Sequence, residues 1–154
     1  MIIQATEKDF NIVNKILSHK SVYPYISDDY CPIEPIKDLG LDFLKNDYIK
    51  VLMPNEDSVF IFTPLSLNMY IVHTNVLPKS RGKIAIRAGR AVVKWMFENT
   101  ECTSIISFVP SWNKQTLIYG SLVGLKRIGI IEKSFKKNNV IYDQVIIGLT
   151  KGDL

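Results

Sequence analysis

The chain is poor in the residues that build metal centres and disulfide scaffolds. It has two cysteines, Cys31 and Cys102, and two histidines, His19 and His73, scattered over 154 residues. No C-x-x-C occurs, and this set lacks metal-ligand spacing, so neither a zinc site nor a disulfide framework is expected. Free thiols in a reducing compartment fit better. The opening residues, 1–10, lack the basic start and apolar stretch of a secretory signal, so none is expected. An uninterrupted membrane-length apolar run is also missing. Residues 58–78 carry no Asp, Glu, Lys or Arg, but they include Pro64, Ser66, Asn68, His73, Thr74 and Asn75, which hydrocarbon would not tolerate cheaply. They read as two β-rich runs joined by a turn, in a soluble protein with no membrane contact. No internal repeat, P-loop or Ser-His-Asp spacing is present.

What remains is a globular composition: 47% hydrophobic, 22% charged, with 19 Lys and Arg against 15 Asp and Glu. That balance excludes a disordered chain. The length predicts one domain over 1–154. A net charge of +4 favours an anionic ligand without requiring nucleic acid, which a single basic stripe makes a weak option.

Hydrophobic periodicity predicts an α/β (α+β) chain in the order β-α-(α)-β-β-β-α-β-α-β-β, with a mixed sheet and helices on its faces. A short strand at 2–5 precedes a helix opened by Thr6, with Asp9 in capping-box position and Phe10, Val13, Ile16 and Leu17 on one face. Residues 19–35 hold Pro24, Pro32 and Pro35 with Tyr23, Tyr25 and Tyr30, and read as an ordered aromatic loop. A short helix is expected over 36–44, then strands over 50–53, 58–63 and 67–75. The longest helix, 82–98, shows an apolar stripe of Ile84, Ala88, Ala91, Val92, Trp95 and Met96. A strand over 103–109 leads to a helix over 113–122, with Leu117, Ile118, Leu122 and Val123 inward and Gly124 as its stop. A hairpin, 126–135 with 140–149, closes the chain through Lys136-Lys137-Asn138-Asn139.

Lys83, Arg87, Arg90 and Lys94 form a stripe on the long helix, and Lys79 and Arg81 precede its first turn. A strand running into a helix N-terminus offers free N–H groups and a positive dipole end, which suits a phosphorylated ligand at 81–83. Arg90 and Lys94 read as a solvated face. His73 could serve as a general base or be a buried, hydrogen-bonded structural group. Asp143 could orient an amine or pair with a lysine. The tyrosines at 23, 25 and 30 either meet a ligand or partner or pack over the sheet.

The succession of strand, Arg81-Gly82-Lys83, long helix, strand, and Asn113-x-x-Thr116 opening a helix that ends Gly124-Leu125 resembles the GCN5-related N-acetyltransferase (GNAT) family. Tyr142-Asp143 and Gly148-Leu149-Thr150 are similar to the branch containing ribosomal-protein N-acetyltransferases. Val22-Tyr23-Pro24, Ser27-Asp28-Asp29 and Trp95-x-Phe97-Glu98-Asn99 resemble small GNAT-like proteins of tailed bacteriophages, some of which accompany head-assembly genes. The resemblance implies a largely antiparallel central sheet with one splayed strand, and acetyl-CoA held by Val72, Thr74, Asn75, Arg81, Gly82, Lys83 and Asn113. It implies transfer of acetyl to an amine of a protein or small molecule, with His73 and Tyr119 as the catalytic candidates. It implies a place in the host cytoplasm or the virion. The alternative it carries is a catalytically degenerate protein that contacts phage structural proteins in head assembly or in the virion.

Two positions depart from the family pattern Q/R-x-x-G-x-G/A. Ile84 and Ile86 stand where small residues let the backbone approach a ligand. Gly120 stands where the family carries a tyrosine seven residues after the asparagine. Tyr119 is adjacent but turned by about 100° on a helix.

Overall fold

The computed structural model describes residues 1–154. Its elements, in chain order, are β1 (Ile3–Gln4), α1 (Phe10–Leu17), α2 (Tyr23–Ile26), α3 (Leu41–Lys45), β2 (Lys50–Asn55), β3 (Ser58–Pro64), β4 (Met69–Val76), α4 (Lys83–Asn99), β5 (Ser104–Pro110), α5 (Lys114–Val123), β6 (Lys126–Lys137) and β7 (Val140–Thr150). The strands form one seven-stranded sheet in the order β1-β2-β3-β4-β5-β7-β6. Every neighbouring pair is antiparallel except β4 and β5, which run parallel. A parallel pair needs a crossover, and α4 supplies it.

Each face of the sheet buries its own core. On one face, α4 and α5 cover Phe60, Phe62, Val72, Ile105, Val145 and Ile147. On the other, α1 covers Val51, Val59 and Ile61. Side-chain alternation along a strand assigns each residue to one of these faces. Val72, Thr74 and Val76 of β4 point toward α4 and α5, and Ile71, His73 and Asn75 point the other way. The uncharged segment at 58–78 is therefore β3 and β4, and no helix is long and apolar enough to cross a membrane.

Local signals account for most boundaries. The Thr6 N–H donates to the Asp9 carboxylate at 2.8 Å, opening a 3-10 turn that runs into α1. Asn138 and Asn139 both have positive φ, 50° and 64°, the two-residue turn whose twist suits a hairpin. Gly124 ends α5 at φ 121°.

Four expectations need correction. The segment expected to be a loop contains the single turn α2, because Pro24 occupies a first-turn position where its missing N–H costs nothing. The helix expected over 36–44 starts only at Leu41, since Gly40 lies at φ 96°. The buried face of α4 is Ala85, Ala88, Val92, Val93, Met96 and Phe97, with Ile84 and Ala91 exposed, so the true stripe is turned from the one expected. In α5, Gly120 and Val123 are the buried positions, whereas Ile118 and Leu122 are exposed at 61% and 49%.

Candidate active site

The parallel pairing of β4 with β5 covers Met69 with Ser104, Tyr70 with Ile105 and Ile71 with Ile106, and then stops. Both strands continue, β4 to Val76 and β5 to Pro110, so they diverge and leave a wedge. Polar atoms replace the backbone ladder there. Ser107 Oγ donates to the Val72 carbonyl at 3.2 Å, and Arg81 Nε donates to the Val76 carbonyl at 3.2 Å. The carbonyls of Val72 and Val76 therefore point into the wedge, and that of Thr74 between them obeys the same alternation.

At the wide end of the wedge lies a cavity of about 380 Å³. Thr74 and Val76 line it from β4, Gly82, Ala85 and Ile86 from the start of α4, and Thr116 and Tyr119 from α5. Val22, Tyr25 and Ile26 close it from the α2 side. The amides of 82–85 precede the first bond of the helix ladder, which Ile86 N–H makes to the Gly82 carbonyl at 3.0 Å. Gly82 sits at φ 72°, and a side chain placed there would meet no atom within 4 Å, so the space beside the helix start is open.

Of the expected ligand-holding residues, Thr74, Arg81, Gly82 and Asn113 come together on this cavity, with Val72 just below it, at the narrow end of the wedge. Asn75 does not join them. Its side chain turns to the α1 face, where Nδ2 donates to the Val59 carbonyl at 3.1 Å, because one step along a strand reverses the face. The Arg81 guanidinium is largely occupied, with one terminal nitrogen donating to the Ser21 carbonyl at 2.6 Å besides the Val76 bond. It latches α2's leading residues to the end of β4. Lys79 pairs with Asp57 at 3.0 Å, Lys94 with Glu98 at 3.6 Å, and Arg90 donates to the Leu122 carbonyl at 2.7 Å. Lys83 and Arg87 carry no such bond, and both lie on the first turns of α4. Asn113 caps α5 by accepting the Thr116 N–H at 3.2 Å.

Tyr119 reaches across from α5 to α4. Its hydroxyl donates to the Ala85 carbonyl at 3.2 Å, and burial holds its pKa well above the ordinary tyrosine value despite a bond with Thr74. Gly89 makes room for it, since a Cβ there would lie 2.3 Å from the Tyr119 oxygen. Gly120 has a separate reason: a Cβ would lie 2.4 Å from Ile147 Cδ1, so close packing of α5 on β7 requires glycine.

His73 lies on the opposite face from this cavity. By area it is exposed, yet enough protein crowds its ring that desolvation lowers its pKa below 6.5. It makes no side-chain hydrogen bond, contrary to the structural alternative. Asp143 is not paired with a lysine side chain; its Oδ1 accepts the Lys133 N–H at 2.8 Å at a bulge in β6.

Sequence reasoning missed Ser107, Gly89 and Trp112. Ser107 stands alone as a polar residue within Ile105-Ile106-Ser107-Phe108-Val109, a signal that could have been read. Trp112 stacks near Tyr25 at 5.9 Å and Tyr142 at 6.5 Å between ring centres. The α2 segment is strapped on its far side too: Lys137 Nζ donates to the Pro24 and Ser27 carbonyls, and Asp29 accepts the N–H groups of Asn138 and Asn139 at 2.8 and 2.9 Å.

Residues 57–154 match the family model described as Protein of unknown function (DUF2824). The chain belongs to that family. No curated protein matches this DUF2824 chain. Among solved structures, it is similar to a spermidine N-acetyltransferase from Vibrio cholerae in complex with CoA and spermine, at TM-score 0.80 and 11% identity over 99% of this chain and 96% of that one. It is similar to an acetyltransferase of the GNAT family from Bacillus anthracis, at 0.75 and 20% over 98% and 94%. It is also similar to a ribosomal-protein-alanine N-acetyltransferase from Brucella melitensis, at 0.75 and 15% over 97% and 99%. The DUF2824 chain thus has the GNAT fold: a seven-stranded, mostly antiparallel sheet between helices.

Proposed function

We propose that the protein is an acetyl-CoA-dependent N-acetyltransferase acting on an amine. The observation that carries this reading is the wedge between 72–76 and 107–110, open at the α4 N-terminus into a cavity within the usual range for ligand sites. The residues fit the cofactor: four unladdered amides and Lys83 suit a diphosphate, and inward carbonyls on β4 suit amide groups of a pantetheine arm. That the similar Vibrio enzyme was solved with CoA supports a ligand of this class.

When bound, acetyl-CoA supplies a thioester whose acyl carbon takes the amine nitrogen, the C–N bond forming as the C–S bond breaks. His73, kept neutral near pH 7 by its lowered pKa, faces away from the cavity, so it takes the proton the amine must lose if the amine enters the wedge from that opposite face. Tyr119, kept protonated by its raised pKa, lines the cavity beside Thr74 and Thr116 and is proposed to give a proton to the leaving sulfur. To do so it has to leave the Ala85 carbonyl.

A second reading, a GNAT-fold protein without turnover that serves in a phage particle or its assembly, is favoured by Ile86 lining the cavity and by Tyr119 being tied to Ala85. Thermal unfolding with acetyl-CoA separates the two. At a concentration of 100 Kd, linkage predicts about 2.7 kcal/mol of stabilisation, a Tm rise of several degrees. No shift at millimolar acetyl-CoA contradicts the enzyme.

A further inference from the structure

The acceptor side of the wedge has a composition of its own. Phe108 pairs with Ile146, and by alternation both share the face that carries His73. Tyr142, two and four residues from Gln144 and Ile146 on β7, continues this face to the wide end of the wedge, where Trp112 and Tyr25 complete a cluster of rings. Phe108, Ile146, Tyr142 and Trp112 are only partly buried, and Tyr25 is 49% exposed. The indole N–H of Trp112 is shielded from solvent and has no partner, so the cluster holds a spare donor.

Negative charge is sparse around the cluster. No Asp or Glu lines the cavity, and β4 and β5 contain none. The only acid of β7, Asp143, is on the other face and already accepts a backbone N–H. Of the acids beside α2, Asp29 accepts the two hairpin amides, Asp28 accepts the Tyr30 N–H at 2.9 Å, and Glu34 is exposed on the Tyr23 side. Along the adjoining hairpin strand Lys133, Lys136 and Lys137 outnumber its one acid, Glu132. A polyamine carries several ammonium groups and needs a carboxylate for each one it desolvates. An uncharged aromatic body needs only apolar surface and ring edges.

We infer that the acceptor is a single amine on an aromatic body, recognised by the Tyr25, Trp112 and Tyr142 cluster, and not a polyamine. The inference rests on the acetyltransferase reading and narrows its substrate class. Low identity to the spermidine enzymes leaves them as likenesses of fold, so their acceptor does not carry over.

Two measurements test this. With acetyl-CoA saturating, release of free CoA thiol is monitored with tyramine, with an amidated tetrapeptide beginning in phenylalanine, and with spermidine. The expected kcat/KM for an aromatic monoamine exceeds that for spermidine at least tenfold, and whichever aromatic arm is faster identifies the source, free amine or peptide. Spermidine matching or exceeding both overturns the inference while leaving the acetyltransferase intact. Binding is read independently in a Trp95→Phe variant, which leaves Trp112 as the sole indole. Tyramine should quench its emission saturably and spermidine should not, whether or not acetyl-CoA binds. The reverse, or no response to tyramine, overturns the inference. Failure of acetyl-CoA to bind contradicts the enzyme reading alone. Trp112→Ala should raise KM for tyramine with little change in kcat, and Trp112→Phe should restore it.

Discussion

The first half of β4, residues 69–71, is zipped to β5 by parallel pairing, whereas the second half, 72–76, is joined to that side by two side-chain bonds from Ser107 and Arg81. The pleat and the partner β3 are the same along both halves, although 69–71 is Met-Tyr-Ile and 72–76 carries His73, Thr74 and Asn75. Their surroundings differ. The paired half abuts Ile105, which is fully buried, and the splayed half runs on into the Pro78–Ser80 turn and the start of α4. One strand thus serves stability at one end and access at the other. Residues of the two ends should respond differently to substitution.

The largest contrast should come from truncation. Ile105→Ala in the paired half should cost about 2–5 kcal/mol, since it empties a closed part of the core. Thr74→Ala in the splayed half, where a cavity already exists, should stay within about 1 kcal/mol of the parent in denaturant unfolding. Comparable losses at both sites would erase the distinction.

Overpacking gives the next contrast. Gly120→Ala should cost about 1–3 kcal/mol because its new Cβ meets Ile147. Gly89→Ala should cost a similar amount, but Tyr119→Phe should recover part of that loss, since the nearest atom is the tyrosine hydroxyl. Additive effects in that pair would show that Tyr119 does not occupy the gap between α4 and α5.

Arg81 and Lys83 lie close in sequence yet should separate in effect. Arg81→Ala removes the ties to Ser21 and Val76 and should lower stability by about 1 kcal/mol. Lys83→Ala should leave the melting temperature unchanged and shrink the shift induced by acetyl-CoA, because it makes no bond in the protein. The same loss of stability from both variants would place them in one role.

The smallest effect is on pH. Desolvation lowers the folded pKa of His73 below its unfolded value of about 6.5, so its contribution to stability is fully present above that pH and is lost as pH falls through the folded pKa. The acid limb of the acetylation rate should therefore lie below pH 6.5, and His73→Gln should abolish that limb. A limb above 6.5 would assign it to another group.

Much of the fold was legible in the residues themselves. The order of elements comes from periodicities of two and 3.6, and the α4 start from the change between them after an uncharged β4. Less legible was which way helices face. Ile118 and Leu122 are apolar but stand at the rim of an open cavity, and Ile84 is exposed on α4, so a hydrophobic stripe alone assigned them inward. The site was legible in part for a related reason. Gly82 sits where strand and helix signals meet, whereas the Arg81 tie to Ser21, the Asn75 bond to Val59 and the packing of Trp112 with Tyr25 and Tyr142 join residues distant in the chain. Local patterns do not encode these.

Whether the splayed end of β4 and the amides opening α4 together hold acetyl-CoA is best read from backbone amide chemical shifts during titration with that cofactor. Saturable changes are predicted at Thr74, Val76 and residues 82–85, with 69–71 unmoved. Changes that leave those amides still, or that fall on the paired half of β4 instead, would refute the placement.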